Sequence, residues 1–251
     1  MPTTSASSET DITVREDLTA AHARAWTRLA RPGVWLTGPE RVATAAETRA
    51  AMACPACAAR KAALSPEAPI PVHATASDLP TAHVDAIHRI ATDADRLTHA
   101  WFQRTTGDVL SVERYVETVG LIAETIAVDR FDAALGRPLR PLPAPEAGAP
   151  TRTPFPAARI AGAWVPTAAP EDITDRDRPA AHAMYRNRGA VNIHRALSLV
   201  PESVVGFFDL DDVMYLPDAL LRDFTQEPRA ISHAQIELLA ARVSAINRCL
   251  Y

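Results

Sequence analysis

The sequence predicts an all-α protein, and three observations carry that prediction. Apolar residues recur at helical spacing along most of the chain, while no run of useful length alternates with the period of two of a half-buried strand. The composition has nine Gly against 21 Pro and only 6% aromatics, with an excess of Ala, which favours helices joined by stiff loops. Several periodic stretches also end on Gly or Pro, the expected stop signals.

Taken in order, the first dozen residues are polar and Ser/Thr-rich and read as a frayed arm. A short helix follows from about Asp17 to Ala30, closed by Arg31-Pro32-Gly33. A second opens at Gly38-Pro39, runs through Val42, Ala46 and Ala50 into Cys54 and Cys57, and ends at Leu64-Ser65-Pro66. Beyond a Pro-punctuated loop, Val84, Ile87, Ile90, Leu97 and Trp101 keep near-helical spacing. Ser111 to Leu135 is the clearest helix: Ser111 can cap it, and Val112, Tyr115, Val119, Ile122 and Ile126 form one stripe. Prolines crowd residues 138–170, where no helix can persist and a semi-rigid linker is expected, with Phe155 and Trp164 packed on something. Helical patterning resumes near Ala180, and Pro201 suits a first turn. Ser232 with Gln235 reads as a capping box, ahead of the stripe Ile236, Leu239, Val243, Ile246.

A length of 251 residues suits two modest domains. The expected division is an arm and short helix (1–37), a first helical module (38–140), a Pro-rich linker (141–178) and a second module (179–251). A net charge of -4 argues against nucleic acid as a partner. No apolar run reaches the roughly 18 residues of a spanning helix, so no membrane partner is expected. The start lacks the pattern of a secretory signal, and three widely spaced cysteines make no disulfide framework. A cytoplasmic location is the expectation.

Cys54-Pro55-Ala56-Cys57 is the most local chemical signal. Pro55 disfavours helical dihedrals at Cys54 and suits the first helical position, placing Cys54 at a cap and Cys57 one turn in. The positive helix end, with Arg60 and Lys61 nearby, favours thiolate there. A thiol redox pair, two packed core cysteines and a zinc site all remain open. Zinc would need partners such as His73, His83 or His88, which stand at no recognisable spacing. His83, Asp85 and His88 alone read as solvated or supporting groups.

The C-terminal stretch Glu237-Leu-Leu-Ala-Ala-Arg-Val-Ser-Ala-Ile-Asn-Arg-Cys249 is more specific. It resembles the core motif of the alkylhydroperoxidase D-like, or carboxymuconolactone decarboxylase, family in the Glu-to-Cys spacing and at Arg242, Val243, Ser244, Ala245 and Asn247. Arg195 to Pro201 looks like the approach to that motif, and Ser111 to Gly136 like the family's closing helix. The resemblance implies two helical modules in tandem, homo-oligomerisation, and disulfide-based reduction of a hydroperoxide with a thiol or dithiol reductant. It implies no cofactor and no metal. Catalytic roles fall on Glu237 as relay carboxylate, Cys249 as the first, resolving cysteine, and the pair Cys54 and Cys57. The family's second cysteine would follow Tyr251, so the second module is expected to be truncated, with selenocysteine at that point as one explanation. In the first module Lys61 stands where the family has a His, and Glu47 lies seven residues before Cys54. A straight helix would hold Glu237 and Cys249 about 18 Å apart, so the chain must turn near Asn247. Leu239 and Val243 are expected to lack packing partners. Two other functions keep the fold: a decarboxylase acting on a lactone acid, and a non-catalytic oligomerisation module.

Overall fold

The computed structural model describes residues 12–68, 72–185 and 192–249. The arm before Ile12 and the terminal Leu250-Tyr251 lie outside them. Ten α-helices are present among these residues: α1 (Glu16–Ala30), α2 (Gly38–Met52), α3 (Pro55–Ala62), α4 (Thr81–Asp93), α5 (His99–Arg104), α6 (Val112–Ala134), α7 (Pro179–Tyr185), α8 (Asn192–Arg195), α9 (Pro201–Met214) and α10 (His233–Ile246). No strand occurs among the described residues; the one extended pairing is an isolated bridge between Arg159 and Thr167. The protein is all-α. No helix of the described residues is long and apolar enough to cross a membrane.

Local chemistry explains the helix ends. At α2, the Thr37 hydroxyl accepts from Glu40 N at 3.3 Å while Glu40 Oε2 accepts from Thr37 N at 2.8 Å, so two free donors are satisfied reciprocally. Ser111 caps α6 by accepting from Arg114 N, and Gly136 ends it at φ 67, a left-handed turn that favours Gly. Ser232 and Gln235 form the capping box of α10. One expectation changes: the helix from Gly38 to Leu64 is two helices. α2 stops at Met52, and Cys54 is extended at φ -76, ψ 120 before Pro55 starts α3. The proline that predisposed Cys54 to a cap also cut the helix there.

The longest helix, α6, is the centre of the packing, with contacts to α1, α2, α4 and α9. Helix α9 in turn packs on α1 and α7, so the residues after the Pro-rich segment build against the first helices. Trp101, Phe102, Tyr115, Val116 and Val200 form one apolar cluster; Phe155, Met184, Tyr185, Val204 and Phe208 form another. Charged groups are buried between the helices as ion pairs. Arg41 meets Glu117, and Arg49 meets Asp129 at 2.7 Å. Burial pushes the Glu117 and Glu124 carboxyls up, against the pull of Arg41 and Arg28.

The Pro-rich segment is docked along α1 and the turn after it. Trp26 Nε1 donates to Pro141 O at 2.9 Å, Glu146 N to Ala30 O at 2.8 Å and Arg152 N to Val34 O at 2.7 Å. Both aromatics pack as expected: Phe155 is buried, and Trp164, though 44% exposed, lies against His99 and Phe102 with ring centroids 5.6 and 5.9 Å apart. Helix α10 is attached through His233 and Ile236. Leu239 and Val243 are 57% and 56% exposed among the described residues, the weak packing that the sequence led us to expect.

Candidate functional site

The break between α2 and α3 places Cys54 at the N-cap and Cys57 in the first turn of α3, both buried. Their sulfurs lie 3.9 Å apart. The other end of α3 is fixed to the end of α4: Arg96, held by Asp93, donates to Arg60 O at 2.7 Å and Ala63 O at 2.8 Å. These bonds satisfy helix C-terminal carbonyls that would otherwise lack partners.

Two histidines complete the cluster. His88 lies on the buried face of α4 with Val84 and Ile87. His73 comes from the loop before α4, which is tied to α2 by Glu47: its Oε1 accepts from Ala76 N at 2.8 Å and from Ser77 Oγ at 2.6 Å. His73 Nδ1 lies 3.5 Å from Cys54 Sγ and 3.6 Å from Cys57 Sγ, and His88 Nδ1 lies 3.3 Å from Cys57 Sγ. The outer nitrogen of each ring meets a carboxylate: His73 Nε2 to Asp85 Oδ1 at 2.9 Å, and His88 Nε2 to Glu47 Oε2 at 3.1 Å. A carboxylate accepts and does not donate, so each Nε2 carries a proton, and each Nδ1 faces the sulfurs either as a lone pair that can take a thiol's proton or, once it has taken it, as an N–H that donates to the thiolate.

Charge is arranged around this cluster. Asp85 is held by Arg60 at 3.1 Å and Arg89 at 3.2 Å, and the fully buried Arg60 also reaches Cys57 Sγ at 3.6 Å. Burial raises the Cys54 thiol, but hydrogen bonds from His73 and from the Cys57 and Ala74 backbone outweigh it and pull the thiol down to about 6. At Cys57 burial dominates; with the neighbouring Cys54 charge it pushes the thiol up to about 11, against Thr92.

Both thiols line a cavity of about 680 Å³ bounded by α2, α3, α4, α6 and α10. Met52, Ile126 and Val243 supply apolar wall; Lys61 and Arg130 supply positive charge.

The other two sequence-derived site residues lie elsewhere. Glu237, in the second turn of α10, accepts from Tyr215 OH at 2.7 Å and faces His233 at 3.4 Å. Cys249 is exposed beyond the other end of α10, where Arg248 takes φ 53 and Cys249 N donates to Ser244 O at 3.0 Å. The expected turn near Asn247 is present, yet it returns the chain only as far as Ser244, roughly 10 Å along the axis from Glu237. The structure does not unite Glu237 with Cys249.

Of the surrounding residues, the sequence points to His73 and His88 only as possible zinc partners and to Asp85 only as a supporting group, and it does not place Glu47 in the site. A weak signal existed for Glu47 and His88, since each is an ionisable residue on the apolar face of its helix. Nothing local marks His73, which enters through loop closure. Compared with family models, with curated proteins and with solved structures, the chain matches none.

Proposed function

We propose that the protein is a thiol-dependent redox protein in which Cys54 and Cys57 cycle between dithiol and disulfide, with a hydroperoxide as oxidant. The observation that carries this reading is the pair of sulfurs 3.9 Å apart, each beside an imidazole whose far nitrogen rests on a carboxylate. Such a chain accepts a proton at Nδ1 and stabilises the resulting imidazolium.

The Cys54 proton passes to His73 Nδ1, and the thiolate attacks the terminal peroxide oxygen. The O–O bond breaks, the alkoxide leaves as alcohol with that proton, and Cys54 becomes a sulfenic acid. Cys57 gives its proton to His88 Nδ1 and attacks the Cys54 sulfur. Hydroxide leaves and takes the proton from His88 as water. Two electrons have moved from two thiols to one peroxide, and an external dithiol returns them. Closing the bond requires the sulfurs to approach to about 2.05 Å, which a Cys-x-x-Cys pair at a helix start accommodates. Glu237 and Cys249 take no step in this scheme.

The test is peroxide consumption by metal-free protein with dithiothreitol as reductant. Cys54→Ser and Cys57→Ser are expected to abolish turnover, and Cys249→Ser to leave it unchanged. Turnover that survives Cys54→Ser and Cys57→Ser overturns the proposal.

A further inference from the structure

We infer that Cys54, Cys57, His73 and His88 form a tetrahedral site for one zinc ion. The four donor atoms, two Sγ and two Nδ1, lie within 4.8 Å of one another and are drawn from α3, the following loop and α4. Zinc bonds of about 2.3 Å to sulfur and about 2.0–2.1 Å to nitrogen set the edges of a tetrahedron at about 3.8 Å for S–S and about 3.5 Å for S–N. The protein has 3.9 Å between the sulfurs and 3.5, 3.6 and 3.3 Å for three sulfur–nitrogen edges. The start of α3 brings the sulfurs together, and His73 Nδ1 contacts both of them, so one cation can take all four donors.

The second layer fits the same ion. A metal-bound imidazole usually donates its other N–H to a carboxylate, which fixes the ring and raises its basicity. Both rings do so here, to Asp85 and to Glu47. Arg60 and Arg89 hold the Asp85 carboxylate in place behind His73. Two thiolates with two imidazoles in a closed shell suit zinc over the oxygen-preferring divalent ions. The donors leave no open position, so the ion's role is to clasp α3 and the loop carrying His73 to α4.

This inference stands on the donor geometry and not on the redox proposal. The two states exclude each other, because a disulfide withdraws both thiolates from the metal.

The test is metal uptake by reduced full-length protein. Zn²⁺ is expected to bind at one ion per chain. Co²⁺ is expected to give the intense d–d bands of a tetrahedral site together with thiolate-to-metal charge transfer. His88→Ala and Cys57→Ser should weaken binding at least 100-fold. Asp85→Asn, which touches no metal, should weaken it 10- to 100-fold with helicity retained, so the inference stays testable even if ligand variants misfold. Octahedral Co²⁺ spectra, substoichiometric uptake, or unchanged affinity in both Asp85→Asn and His88→Ala would overturn it. Stoichiometric zinc in a protein whose metal-free thiols ignore hydroperoxide sustains this inference and defeats the redox proposal. Peroxide turnover without zinc uptake does the reverse.

Discussion

His88 and Glu47 share a hydrogen bond of 3.1 Å in which neither side chain has any exposed surface. Glu47 is the hub that joins three segments: α2, which carries it, the loop at Ala76 and Ser77, and α4 through His88. Its carboxylate fixes the tautomer of His88 and so aims the Nδ1 lone pair at Cys57.

Glu47→Gln therefore tests orientation without removing bulk. Its amide can donate to Nε2, which forces the proton onto Nδ1 and turns an acceptor toward Cys57 into a donor. Imidazole ¹⁵N shifts are expected to report the inverted tautomer, with peroxide turnover and metal affinity down roughly ten-fold or more. Glu47→Ala strands the Ala76 N–H and should cost about 3 kcal/mol in denaturant unfolding.

Gly33 sits against the buried pair of Arg41 and Glu117, and a methyl group there would run into both side chains. Gly33→Ala is expected to destabilise the protein by about 3 kcal/mol, because it both overpacks the site and parts a buried ion pair. Arg41→Ala should be of similar size, and the double variant should cost less than the sum.

Acid sensitivity should depend on His83. Burial, with Arg114 adding to it, lowers this imidazole to about 4 from an ordinary value of 6.5. The folded protein then keeps His83 neutral while the unfolded chain gains a proton below about pH 6.5. Stability from this group is full above pH 6.5 and is lost as pH falls toward 4, by on the order of 3 kcal/mol. Urea midpoints between pH 7.5 and 4.5 measure the slope, and His83→Gln is expected to flatten that part of it.

Helix α10 should behave as a weakly coupled element. Leu239→Ser and Val243→Ser, at positions more than half exposed, are expected to change stability by less than about 0.5 kcal/mol. Ser232→Ala removes the cap and should cost about 1 kcal/mol, seen as faster amide exchange confined to α10.

These expectations also show which features the sequence reveals. Ser111, Gly136 and the stripe between them define α6 from local rules alone, and the capping box at Ser232 does the same for α10. The cut at Ala53 is marked by Pro55, which sets Cys54 at a cap, although the Ala-rich flanks by themselves read as one helix. The site is half legible: Cys54-Pro55-Ala56-Cys57 announces itself, since its spacing is its geometry. His73 and His88 stand 16 and 31 residues from Cys57 and meet it only after the loop is tied to Glu47. A contact set by tertiary closure leaves no period in the chain. The spacing of Glu237 and Cys249 does show their separation, since a helix between them holds the two far apart, and α10 does so.

The most direct measurement on the central claim is thiol mapping of reduced, metal-free protein after one equivalent of hydrogen peroxide. The peptide holding Cys54 and Cys57 is expected to lose two hydrogen atoms as an internal disulfide while Cys249 is alkylated. Full alkylation of Cys54 and Cys57 with the peroxide unspent, or a disulfide formed through Cys249 in their place, would contradict it.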